Sequence, residues 1–230
     1  MGVAGFGSLR IPVIARGFFI LGLSATLFVG MAPADFAMPT TPGALILAAL
    51  SELLIGATLA FGLLTAFAAF QFGGRIVDLQ IGFGIANVFD PLTRSQKPLL
   101  GRALELTAVM LFFAMDGLHL ILRGLAFSFE KIPPGAPFRN IPIEAIVAQF
   151  GAMFTFGIAI VAPVVFTLFL LDVGLATISR TMPQVNIFFV SIPLKAFVGL
   201  TVLAISMNYI GPLTRQVFES VFEYWHVVLQ

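Results

Sequence analysis

The sequence predicts an all-α, polytopic integral membrane protein, and two observations predict it. Hydrophobic residues make up 59% of the 230-residue chain and charged residues only 10%, with a mean hydropathy of +1.06; ordinary soluble domains carry about a quarter charged residues. Uncharged apolar runs at 17–34, 53–74, 145–171 and 196–214 come close to or exceed the ~20 residues that a spanning helix needs. A membrane barrel would instead show ~10-residue segments alternating apolar and polar. The net charge of +1 offers no basic field for nucleic acid, and the absence of cysteine removes disulfides, thiolate metal sites and a cysteine nucleophile.

Taken in order, the first run follows Arg10 and Arg16 and ends on small residues, the outline of a secretory signal peptide. It is longer than the usual apolar region of such a peptide, ~7–15 residues, so a spanning helix is the better assignment. The stretch "GRIVDLQIGFGIANVFDP", residues 74–91, alternates Val77, Leu79, Ile81, Phe83 and Ile85 with Asp78, Gln80, Gly82 and Gly84. Taken alone it reads as a strand. A lone strand among membrane helices would leave its backbone groups unpaired, so a glycine-rich helix ending near Asp90-Pro91 is expected, with room for a second backbone to approach. The fifth apolar segment, 106–122, is interrupted by Asp116 and His119. The longest polar interval, "SFEKIPPGAPFRN" at 128–140, has ordinary loop length, so residues 1–230 read as one helical unit with no soluble domain. If five segments cross in sequence, seven cations fall on one side and four on the other, a weak basis for orientation.

Charges within apolar runs carry the functional question. Glu52, Asp116, His119, Asp172 and Lys195 each lie in or against such a run, and a charge at the bilayer centre costs at least ~2.5–3.5 kcal/mol on insertion scales. They stand singly rather than in clusters, which favours structural pairing in protein-covered surroundings over a proton relay. Asp116, His119 and Arg123 share one helical face by spacing. A catalytic zinc needs three protein ligands and the chain has only two histidines, so no metal or cofactor is expected. No Gly-x-Ser-x-Gly elbow and no matched aspartates suggest an enzyme.

The stretch "SRTMPQVNIFFVSIPLK", residues 179–195, concentrates these features. Pro183 should end the preceding helix near Arg180, whose charge then suits the negative helix end. Pro193 should open the next helix, leaving Lys195 at a positive helix end and in need of a carboxylate or carbonyls from another helix or chain. Gln184 and Asn186 add to a polar break that is tolerated only under protein or water cover.

These residues resemble a known family. "LDVGLATISRTMPQVNIFFVSIPLKAFVGL" closely resembles the C-terminal signature of the FliR family of flagellar export-apparatus proteins and their injectisome counterparts. "SELLIGATLAFG", "DLQIGFGIANVFDP" and "FFAMDGLHLILRGLAFSFEKIP" resemble three further family motifs in the same order. The resemblance implies a non-enzymatic subunit of a type III protein export gate in the bacterial inner membrane, at the flagellar basal body. It implies FliP-like and FliQ-like partners forming a helical cone, FlhA- and FlhB-like neighbours, and unfolded proteins in transit. It also implies kinked and broken helices, a pore-plugging loop containing Asp90, Pro91, Leu92, Arg94, Gln96 and Lys97, and subunit-interface roles for Glu52, Gln80, Asp116, His119, Asp172, Arg180, Gln184, Asn186 and Lys195. The family's first helix is expected to be missing from this chain. The alternatives are an injectisome homologue and a small-solute transporter, although a transporter should show paired helix breaks and only one break is found.

Overall fold

The computed structural model describes residues 12–31, 41–83, 98–133, 142–182 and 186–230. Six helices account for nearly all of them: α1 (Val13–Met31), α2 (Pro42–Ile81), α3 (Leu99–Ala114), α4 (Gly117–Lys131), α5 (Ile143–Thr181) and α6 (Ile187–Leu229). No strand occurs among the described residues. At 40, 39 and 43 residues, α2, α5 and α6 each extend for about 60 Å at 1.5 Å per residue, twice the ~30 Å of a bilayer's hydrocarbon core. These three are long and apolar enough to cross a membrane, and α3 with α4 makes a fourth candidate if the pair is one broken span. The chain is an α-helical membrane protein.

Local chemistry sets the helix ends, in places against the sequence reading. The alternating stretch is helical, but α2 stops at Ile81 rather than near Asp90. Gly82 takes φ 95° and its N–H donates to the Asp78 carbonyl at 3.2 Å, a left-handed closure that glycine adopts without steric cost. Asp90 and Pro91 lie outside the described residues. The 106–122 segment is two helices, because Asp116 adopts φ 56° and the Phe112 ring fills the space that a Cβ on Gly117 would need. Aspartate is among the few residues that enter this region readily.

α5 ends at Thr181, with Arg180 in its last turn. α6 begins at Ile187, so Pro193 lies inside the helix, as Pro212 does, rather than opening it. An internal proline removes one backbone donor, and membrane helices tolerate the loss where neighbouring groups satisfy the freed carbonyl. Lys195 therefore stands beyond the first turn of α6, and the helix-end argument for its position falls.

The chain divides into two compact units. The first comprises residues 1–65, 112–150 and 218–230. Its core is aromatic. Trp225 Nε1 donates to the Leu59 carbonyl at 3.0 Å and the Tyr224 hydroxyl donates to the Thr58 carbonyl at 3.3 Å. Gly62 permits that approach, since a Cβ there would sit 2.7 Å from the tyrosine ring. Phe112 and Phe218 pack with centroids 4.8 Å apart, and the buried Gln149 side chain donates to Thr65 Oγ1 at 3.2 Å.

The second unit comprises residues 66–111 and 151–217. Phe70, Val77, Ile81, Leu104, Val161, Val164 and Leu168 form its interior. Glycines bring its helix backbones together: a Cβ on Gly73 would lie 2.5 Å from the Gly157 carbonyl oxygen of α5, and one on Gly74 would lie 2.6 Å from the Gly101 nitrogen of α3. Such contacts suit helix association without a hydrophobic driving force, where close backbone approach supplies the attraction.

Candidate functional site

A cluster of buried polar groups lies in the second unit, where the end of α2 meets the start of α3. An α-helix begins with four N–H groups that have no partner within the helix. Here a side chain from another helix takes two of them. Both carboxylate oxygens of Asp78 accept from the Leu100 N–H at 3.1 Å, and Oδ2 also accepts from the Gly101 N–H at 3.1 Å. Asp78 is 4% exposed, so its charge is held by these donors and by the positive end of the α3 dipole. The Gly74–Gly101 approach brings the two elements close enough for this bond.

One turn into α3, Arg102 Nη1 donates to Glu105 Oε2 at 3.0 Å. Glu105 is 2% exposed, and its other oxygen, Oε1, is buried with no hydrogen-bond partner among the described residues. Arg75 is exposed. Gln71, Phe72, Arg75, Arg102, Glu105 and Met153 help to line a cavity of about 440 Å³. It sets cationic and amide groups around a carboxylate.

The polar residues singled out from the sequence do not gather here. Gln80, in the last turn of α2, is half-buried, and its Oε1 has no partner among the described residues. Glu52 lies on the exposed side of α2. Asp116 caps α4 from the left-handed region and makes no side-chain cap bond, so the expected stripe reduces to His119 and Arg123, whose side chains stand 3.5 Å apart. Arg180 and Asn186 are exposed at the ends of α5 and α6. Gln184 and the loop residues Leu92, Arg94, Gln96 and Lys97, like Asp90 and Pro91, lie outside the described residues. No group of three or more potential metal ligands occurs among the described residues.

Asp172 and Lys195 meet each other: Lys195 Nζ lies 2.5 Å from Asp172 Oδ1, linking α5 to α6. The carboxylate that Lys195 required thus comes from the same chain, and Asp172 pairs with another helix rather than with Arg180. Asp172 is 46% exposed, so the pair should contribute about 1 kcal/mol or less to the isolated chain. Because Lys195→Met and Asp172→Asn break one shared contact, the double variant should unfold in detergent no earlier than the less stable single variant. Strictly additive losses would mean that the two charges act separately.

The sequence reading missed the Asp78 clasp and the Arg102–Glu105 pair. In the sequence Asp78 is only a polar step in an alternating pattern, and Arg102 is one cation among several. The i, i+3 spacing of Arg102 and Glu105 was available as a signal. The contact of Asp78 with residues 22 and 23 positions away was not.

Comparison with known proteins assigns the family. The model of the bacterial export proteins, family 1, matches residues 1–221. The chain belongs to this family. It is 38% identical over 181 residues to the flagellar biosynthetic protein FliR of Bacillus subtilis, covering 77% of this chain and 70% of that protein. The FliR of Aquifex aeolicus is 28% identical over 228 residues, 98% of this chain and 87% of that protein. The secretion system apparatus protein SsaT of Salmonella typhimurium is 28% identical over 160 residues, 69% of this chain and 62% of that protein. Among bacterial export proteins of this family, the chain is thus similar to flagellar and secretion-system members alike.

Proposed function

We propose that this chain is a subunit of a type III protein export gate of the flagellar branch, set in the bacterial inner membrane. There it forms, with FliP-like and FliQ-like membrane subunits, the pore that passes unfolded export substrates. The observation that carries this reading is the family match along residues 1–221. The injectisome reading is second, because the secretion-system relative SsaT is less similar than the Bacillus FliR.

Physical features of the chain support the same reading. α1 exposes Val13, Phe18 and Phe19 at 83, 72 and 70%, and α6 exposes Phe197 and Tyr209, so large apolar faces are left for lipid or neighbouring subunits. Helices twice the bilayer's thickness suit a protein partly surrounded by other subunits. The role is structural and conducting rather than enzymatic. FlhA- and FlhB-like proteins are its further neighbours. In this proposal Glu52, Gln80, His119, Arg180, Gln184 and Asn186 face other subunits, while Asp116 serves the α3–α4 break and Asp172 with Lys195 fixes α5 to α6. Residues 90–97 enter the pore.

Affinity purification of the tagged full chain from its native membrane provides the test. Two small helical membrane proteins should accompany it in several copies each. A lone homo-oligomer with saturable binding of a small solute would instead support the transporter reading and overturn this one.

A further inference from the structure

The cavity in the second unit pairs two unmet requirements. Among the described residues, Arg75 presents a guanidinium with no ion partner and Glu105 Oε1 is a buried carboxylate oxygen without a donor. A buried acceptor left unpaired is costly, and more so when charged. An anion alone would suit Arg75 and be repelled by Glu105. A cation alone would suit Glu105 and be repelled by the two arginines. The complementary ligand carries both an anionic oxygen cluster and an N–H-bearing cation a few ångströms apart.

The surface beside the cavity indicates what such a ligand is attached to. Leu99, Arg102, Leu106 and Met110 follow one face of α3 at helical spacing, and the three apolar members are 66, 43 and 73% exposed. Arg102 lies on this face and also lines the cavity. From Arg102 to Met110 is about 12 Å along the helix, within the reach of one acyl chain. Basic pockets among membrane helices are common seats for lipid headgroups, and 440 Å³ falls in the range of small-ligand sites.

We propose that this cavity seats the headgroup of an ethanolamine phospholipid. The phosphate lies between Arg75 and Arg102, the ammonium donates to the Glu105 carboxylate, and an acyl chain runs along Leu106 and Met110. The choline analogue keeps the phosphate but has no N–H to give. The glycerol analogue keeps the phosphate but has no cation.

The test is native mass spectrometry of the purified full chain in detergent. Phosphatidylethanolamine, phosphatidylcholine and phosphatidylglycerol with identical acyl chains are added one at a time. The ethanolamine lipid should bind about tenfold more tightly than either analogue, the worth of one charge-assisted hydrogen bond. Arg75→Gln, at an exposed position that the fold does not need, should weaken ethanolamine-lipid binding by about the same factor. Glu105→Gln, which keeps an amide acceptor but loses the charge, should reduce the preference over choline. Equal retention of the three lipids, or unchanged binding by Arg75→Gln, would overturn the proposal whether or not the Glu105 variant folds. Tightest binding of the glycerol lipid would leave a phosphate site only and refute the role of Glu105. Ethanolamine lipid present on the isolated chain but absent from its assembled complex would assign the cavity to a protein partner instead.

Discussion

Asp78→Ala should destabilise the isolated chain by about 3 kcal/mol, because it strips the acceptor from buried backbone donors at a helix N-terminus. Asp78→Asn should cost less. Its amide oxygen still accepts one bond, but its NH₂ group faces N–H donors and the charge that matched the α3 dipole is gone. Thermal unfolding of the two variants in detergent, followed by circular dichroism, gives the comparison. The order wild type, Asn, Ala in falling stability is the expected result. Equal stability of all three would mean that α3 begins without help from α2. The same clasp ties the end of α2 to the start of α3, so its loss should be felt at both.

The second large effect sets helix propensity against packing. Alanine is favoured over glycine in a helix interior by about 1 kcal/mol, so Gly→Ala is stabilising wherever space allows. Gly56 on α2 has nothing within 4 Å of a new Cβ, whereas a Cβ on Gly74 would sit 2.6 Å from the Gly101 nitrogen and 2.8 Å from the Leu100 carbonyl oxygen. Both neighbours are backbone and cannot swing aside. Gly56→Ala should therefore raise the unfolding temperature and Gly74→Ala should lower it, by a net cost of about 1–3 kcal/mol typical of overpacking. Both substitutions shifting stability in the same direction would show that the α2–α3 approach is looser than the structure has it. Because Asp78 depends on that approach, Gly74→Ala and Asp78→Ala should be less than additive.

Sequence and structure agree where the deciding chemistry is local. The apolar runs predict helices because a backbone in lipid has few other ways to satisfy its hydrogen bonds, and Pro183 predicts the end of α5 within a residue or two of Thr181. Disagreement arises where a choice depends on distant atoms. Pro193 resembles a helix start, yet α6 runs through it from Ile187, since a proline's cost within a helix depends on what surrounds the freed carbonyl. Gly82 resembles one of several equivalent glycines in a helix, yet it closes α2. The pairing of Asp172 with Lys195 joins residues on two helices, so their spacing along the chain carried no information about it. The Asp78 clasp is hidden for the same reason.

The proposed membership of this chain in a mixed membrane assembly is tested by imaging the complex purified on a tagged full chain. One copy of the chain should appear among several copies each of two smaller helical subunits, arranged around a closed central pore. Particles built from this chain alone, or a single chain in its detergent micelle with no companion, would contradict it.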